Sequence, residues 1–225
     1  MEREITALKA QKKNPNRINV YLDGDYAFGL ARIVAAWLKI GQVLSEEDID
    51  RLKQQDTLEV AFQRGLLILS YRPRSIAEVR RKLSEQGFEP AVVDATIQRM
   101  KDNGLLGDEQ FAHAWVENRV AFRPRGRRLL AVELRQKGVA EEAIQQALSE
   151  TPDEESLAYQ SAVQYARKMV GKDWETFRKR LGAYLMRRGF SYGTIAPILR
   201  RVWDETQSSD SSQNLTHDED EDLWK

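Results

Sequence analysis

The feature that most constrains this chain is a gap-free internal repeat. KLSEQGF (82–88), ELRQKGV (133–139) and YLMRRGF (184–190) align with a spacing of 51 residues. Leu83, Leu134 and Leu185 keep that register, as do Gly87, Gly138 and Gly189. It continues through Val93, Ile144 and Ile195, then Ile97, Leu148 and Leu199. Upstream, YRPRS (71–75) stands 51 residues before FRPRG (122–126), while the third copy, DWETF (173–177), has lost the triplet. A period of this size means one supersecondary unit used three times, each with a small core of its own.

Local chemistry says what the unit is. Each Gly sits where a helix would end in a left-handed C′ residue. The residue after it, Phe88, Val139 or Phe190, can then pack back on the preceding Leu, as in a Schellman motif. The apolar pairs at i and i+4 that follow open the buried face of the next helix. Ser75 and Glu78 have capping-box spacing. Each copy therefore reads as three helices: 57–71, 76–86 and 90–102; 108–121, 127–137 and 140–149; 153–170, 174–188 and 191–203.

The start of the chain is different. Residues 5–10 and 18–22 are strand-like, and Asp23-Gly24 favours a two-residue hairpin turn. A three-stranded element over 5–30 is predicted, and it must pack on something to be stable. From Ala31 a helical pattern places Ile33, Val34, Trp37 and Leu38 on one face, up to Gly41. Ser45 with Asp48 resembles a cap, opening a helix to about residue 55. The predicted organisation is a β extension (1–30), a helical connector (31–56), three-helix repeats over 57–106, 107–150 and 151–204, and an acidic tail (205–225).

Charge separates the tail from the body. The whole chain balances 35 Lys and Arg against 35 Asp and Glu. Residues 204–225 hold eight acids and one base, a charge of −7; the rest holds 34 bases and 27 acids, or +7. The tail is rich in Ser, Asn and Asp and is expected to be disordered. It serves either for solubility or as an electrostatic competitor that folds back on the basic body. Leu223 and Trp224 near its end could form a short docking element.

Few reaction chemistries remain open. Cysteine is absent and there are two histidines, His113 and His217. Val170-Gly171-Lys172-Asp173 lacks the first Gly and the Ser or Thr of a phosphate loop. His113, between Phe111 and Trp115, reads as a packing residue, and Asp108 as a helix cap. No enzyme constellation, metal site or cofactor is expected. Mean hydropathy is −0.59 and no apolar run approaches the length of a membrane span. The first residues, MEREITALKAQKK, show no signal-peptide stretch, so a cytoplasmic monomer without membrane contact is expected.

What remains is arginine. Arg72 and Arg74 flank Pro73; Arg123 and Arg125 flank Pro124, with Arg127 and Arg128 following. Pro blocks helix continuation and presents its neighbours on a defined bend. Arg80, Arg81 and Lys82 add charge one turn on. Copy three contributes Arg178, Lys179, Arg180, Arg187 and Arg188. Such clusters suit a phosphate backbone or an acidic protein surface. The plainer reading is a solvated face. Tyr71 and Phe122, each just before a triplet, read as core anchors rather than base-stacking platforms.

Three segments carry a resemblance: AFQRGLLILSYRPRSIAEVRRKLSEQGF (61–88), NGLLGDEQFAHAWVENRV (103–120) and GRRLLAVELRQKGV (126–139). Arg72, Arg74 and Ser75, then Leu106, Asp108, Phe111 and Ala112, then Glu133, Leu134, Lys137 and Gly138 follow the pattern of the RecX family of bacterial recombination regulators. NRINVYLDGDYAFGL resembles the N-terminal extension of some members. The resemblance implies a mainly α fold of three tandem three-helix repeats in an elongated, curved body. It also implies a partner, the RecA recombinase on single-stranded DNA, whose filament growth, ATP hydrolysis and strand exchange would be restrained. Some members also bind single- or double-stranded DNA directly. Arg72, Arg74, Arg81, Lys82, Arg123, Arg125, Arg127, Arg128 and Lys137 are the expected contact residues. Alternatives are a basic DNA-binding module without RecA and a helical scaffold for another protein.

Overall fold

The computed structural model describes residues 2–215, with side chains to 208. It is mainly helical. Among the described residues, a small N-terminal sheet of β1 (Arg3–Ala10), β2 (Arg17–Leu22), β3 (Asp25–Ala31) and β4 (Val43–Leu44) is joined to ten helices, the first of which lies between β3 and β4. They are α1 (Arg32–Ala35), α2 (Glu46–Tyr71), α3 (Ile76–Glu85), α4 (Pro90–Asp102), α5 (Asp108–Phe122), α6 (Arg127–Gln136), α7 (Glu141–Ser149), α8 (Glu154–Ala166), α9 (Trp174–Arg187) and α10 (Tyr192–Leu215). Two compact units result, 1–107 and 108–225.

In the first unit the strands run antiparallel in the order β3-β2-β1-β4. Asp23 and Gly24 both take positive φ (52° and 95°), the tight hairpin turn the sequence predicts. β4 is too short to show as an alternation, and it makes the sheet four-stranded. Ile5, Val20, Leu22, Leu30 and Leu44 form its buried face, covered by Ala35 and Ile49.

Two sequence expectations change here. The helical pattern from Ala31 yields only the four residues of α1. Val34 and Leu38 pack on the sheet, whereas Ile33 and Trp37 are exposed at 61% and 87%. The break expected near residue 56 is absent, because α2 runs unbroken from Glu46. Its polar residues are satisfied without ending it. Thr57 donates to the Lys53 carbonyl, and Asp56 accepts from Arg17 and from the Ala31 N–H of the sheet. The N-terminal half of α2 thus docks on the sheet through Ile49. Its C-terminal half carries Phe62 and Ile68 into the core of the first repeat. Ser45 and Asp48 form the reciprocal capping box at its start.

The three helix ends of the repeat share one geometry. Gly87, Gly138 and Gly189 have φ of 85°, 74° and 83°. In each, the next residue's N–H reaches the Leu carbonyl: Phe88 to Leu83 (3.4 Å), Val139 to Leu134 (3.1 Å) and Phe190 to Leu185 (3.3 Å). The inner bonds, Gly87 to Ser84, Gly138 to Arg135 and Gly189 to Met186, are all 2.9 Å. These are complete Schellman motifs. Leu83, Leu134 and Leu185 have no exposed surface. Each copy keeps its own buried cluster.

α10 extends past the predicted boundary at 204 to Leu215. Glu205, at the start of the predicted tail, accepts from Tyr159 Oη (2.7 Å) and Arg201 Nε (3.0 Å). The Tyr159 hydroxyl, followed by Arg201, holds the Glu205 carboxyl below its usual range. Residues 216–225, with His217, Leu223 and Trp224, lie outside the described residues.

Candidate functional site

The two RPR loops use the same triplet differently. In the first, Arg72 donates from Nη2 and Nη1 to the two carboxylate oxygens of Glu78 (2.9 and 3.3 Å). Glu78 is buried, so the pair is a fork-shaped clamp across the loop rather than a free surface cation. Arg74 donates through Nε to the Ile68 carbonyl (3.2 Å) in the last turn of α2. Ser75 accepts from the Glu78 N–H and caps α3. Nearby, Arg80 pairs with Asp94, while Arg81 and Lys82 lie 3.5 and 3.9 Å from Glu85.

In the second loop Arg125 pairs with Glu133 Oε1. Arg119 Nε (3.3 Å) and Trp115 Nε1 (3.0 Å) donate to the other oxygen. The Trp115 ring lies beneath Arg119 and near Lys137, whose Nζ is 5.3 Å from its centre. Arg127 donates to Thr151 Oγ1 and the Thr151 carbonyl. Arg123 and Arg128 are exposed and make no ion pair among the described residues.

The register explains the difference. Moved by 51 residues, Glu78 becomes Leu129 and Lys82 becomes Glu133. Arg123 therefore lacks the carboxylate that clamps Arg72, and Arg125 gains one that Arg74 lacks.

The second loop is also held by the third repeat. Gly126 N–H donates to the Arg188 carbonyl (2.9 Å), and Arg188 Nη1 donates to the Pro124 carbonyl (3.1 Å). A Cβ on Gly126 would stand 2.2 Å from the Gly189 carbonyl oxygen, so only glycine fits. This contact brings Arg123, Arg125, Arg187 and Arg188 around a recess of about 360 Å³, with Leu129 and Tyr184 completing its wall. Burial, and then the charges of Arg119, Arg188 and Arg123, lower the Arg125 pKa below the usual arginine value. Positive charge is thus concentrated here against one shared carboxylate, Glu133.

Of the nine expected contact residues, Arg72, Arg74, Arg125 and Arg127 hold the fold together, and Lys137 lies beside Trp115. Arg81 and Lys82 stand on an exposed face of α3. Arg123 and Arg128 are open. Sequence reasoning names Arg187 and Arg188 only as general charge, and Arg119 not at all. Tyr71 and Phe122 are not core anchors: they are 77% and 75% exposed, because each ends its helix at the loop. The register at 78 and 129 was the signal that could have separated the two loops. His113, 28% exposed, sits 3.3 Å from Glu150.

A small N-terminal sheet, followed by three-helix domains with arginine at their joints, defines a tandem helical-repeat protein. Its domains match, in order, the RecX N-terminal domain over residues 3–45 and the first, second and third RecX three-helix domains over 61–100, 108–148 and 153–199. The chain belongs to the RecX family. It is 32% identical to the regulatory protein RecX of Bacillus pumilus over 219 residues, 95% of this chain and 82% of the relative. It is 32% identical to that of Bacillus subtilis over 217 residues, 94% and 81%. A crystal structure of a regulatory protein RecX superposes with a TM-score of 0.71 at 28% identity, covering 87% of this chain and 98% of that one. RecX from Lactobacillus salivarius shares the fold, with a TM-score of 0.58 at 21% identity, covering 66% and 97%.

Proposed function

We propose that this protein is a non-enzymatic cytoplasmic regulator that binds RecA and the RecA–single-stranded-DNA filament and restrains filament growth, ATP hydrolysis and strand exchange. The observation that carries this reading is the match, in order, to all four RecX domains and to RecX regulatory proteins over most of the chain. Preference for one filament state over another would shift the assembly equilibrium. The test is a titration of RecA ATPase on single-stranded DNA. Inhibition at substoichiometric ratio is expected; unchanged ATPase and filament length at excess protein overturn the reading.

A second reading, a basic DNA-binding module acting without RecA, is favoured by the open arginines of the second RPR loop. Its mark is DNA affinity that falls steeply with salt when RecA is absent. The acidic segment then acts as a competitor. Removing 216–225, which leaves α10 whole, is expected to tighten binding most at low salt. Equal affinity with and without it leaves only solubility.

A further inference from the structure

We propose that the groove between α9 and α10 is an intramolecular docking site for the chain's own last segment, 216–225, seated by Leu223 and Trp224. The proposal rests on neither reading above, and its test contains neither RecA nor nucleic acid.

The groove measures about 1040 Å³ and belongs to the third repeat. α9 and α10 pass each other in opposite directions. Trp174 meets Trp203, with ring centres 5.5 Å apart, and a Cβ on Gly182 would stand 3.6 Å from Leu199 Cδ1. Gly182, Ala183 and Ala196 are small and leave the space between the helices unfilled. Met186 and Tyr192 border it and are 62% and 77% exposed. Apolar surface left open to water in this way is stabilised when a partner covers it.

The second repeat shows what a closed counterpart looks like. Moved back by 51 residues, Met186, Tyr192 and Ala196 become Arg135, Glu141 and Gln145. Those three bond to one another: Arg135 donates to both Glu141 oxygens (2.9 and 2.7 Å), and Gln145 donates to Oε1 (2.7 Å). The third repeat has exchanged that self-satisfied polar cover for an apolar floor.

Cations edge the floor. Arg178 and Lys179 on α9 and Arg200 on α10 line the groove, are exposed, and make no ion pair among the described residues. The occupant must therefore join an apolar end to negative charge. The segment THDEDEDLWK does so: five carboxylates at 218–222 run directly into Leu223 and Trp224. Glu175 and Asp204 line the groove beside Trp174 and Trp203 and oppose carboxylates there. The apolar pair is thus the seat, and Glu221 and Asp222 are the charges that meet Arg178, Lys179 and Arg200.

The length fits. Leu199 lies 16 residues before Leu215, the end of α10, or about 24 Å back along the helix. The nine residues from Thr216 to Trp224 span about 30 Å when extended. Tethering also gives the segment an effective concentration on the order of millimolar, so even a weak contact is occupied.

The test uses the full chain. It has no cysteine, so Lys225→Cys offers a single site for a nitroxide label, read by paramagnetic broadening of amide NMR signals. Gly182, Ala183 and Ala196 are expected to lose more than half their intensity, while the counterpart positions Ala131 and Gln145 keep theirs. Leu223→Ser with Trp224→Ser, which leaves the charge unchanged, is expected to restore most of the lost intensity. So is Ala196→Glu on the exposed face of α10. Added salt is expected to weaken the broadening without abolishing it. No broadening in the groove, or equal broadening at Ala131 and Gln145, overturns the site. Broadening that survives the Leu223/Trp224 exchange overturns the apolar seat in favour of charge alone. Broadening carried only from a nitroxide-bearing copy to an isotope-labelled copy without nitroxide overturns the intramolecular assignment in favour of a second copy. Unchanged amide shifts away from the groove confirm that each variant is folded.

Discussion

The loops at 71–75 and 122–126 carry the same arginine–proline–arginine triplet, yet one is closed upon itself and the other is open. In the first, Glu78 clamps Arg72 and Ser75 caps α3. In the second, Leu129 stands in place of Glu78, and Gly126 in place of Ser75. Gly126 gives up a side-chain cap and gains the close approach of the third repeat's Schellman turn. Identical short motifs therefore do different work when the residues three and six positions from the leading arginine change. A repeated cationic motif is evidence of repeated structure before it is evidence of repeated function.

The largest effect is expected where the loops are least interchangeable. Gly126→Ser, which writes the first loop's residue into the second, should destabilise the second unit by about 3 kcal/mol, since backbone must move. Ser75→Ala in the first loop should cost only about 1 kcal/mol, the loss of a cap. Urea unfolding of both variants checks this; similar losses would erase the distinction.

Next comes the shared carboxylate. Glu133→Gln leaves Arg119 and the half-buried Arg125 without a counter-charge and should cost about 2 kcal/mol. Glu78→Leu leaves Arg72, which is 43% exposed and can be hydrated, and should cost about 1 kcal/mol. A larger loss for Glu78→Leu would reverse the view that charge is more crowded in the second loop.

Giving the second loop the first loop's clamp sharpens the comparison further. Leu129→Glu should pair with Arg123 and weaken oligothymidine binding about fivefold, with little change in unfolding midpoint. Full retention of binding would show that Arg123 is not needed in the open state.

The smallest effect concerns Arg135 and Glu141, whose counterparts one repeat earlier are Ser84 and Pro90. The hydrogen bonds from Arg135, then from Gln145, hold the Glu141 carboxyl at about 2. A carboxyl depressed in the folded state stabilises above its unfolded pKa, about 4.5. That contribution fades as pH falls from there toward about 2. Arg135→Ala should return Glu141 toward an ordinary value in an NMR titration and remove this part of the acid dependence. An unmoved titration would show that Gln145 alone suffices.

Much of the fold was legible because its signals are local. The Schellman glycines, the caps at Ser45 and Ser75 and the Asp23-Gly24 turn act within six residues of chain, so their geometry is written in neighbouring side chains. The errors arose where local pattern competed with packing. Trp37 and Ile33 lie on the predicted helical face, but that helix is a single turn and the sheet takes Val34 and Leu38 instead. The break near residue 56 vanished because Asp56 finds Arg17 on β2, 39 residues away.

The sequence by itself determined the period of 51, the three-helix unit and the place of every arginine along the chain. Only the tertiary structure decided which arginines are bound internally and which are open. A guanidinium's fate depends on the acceptors within a few ångströms of it. For Arg188 that acceptor is the carbonyl of Pro124, 64 residues distant, brought near only when the second and third repeats pack.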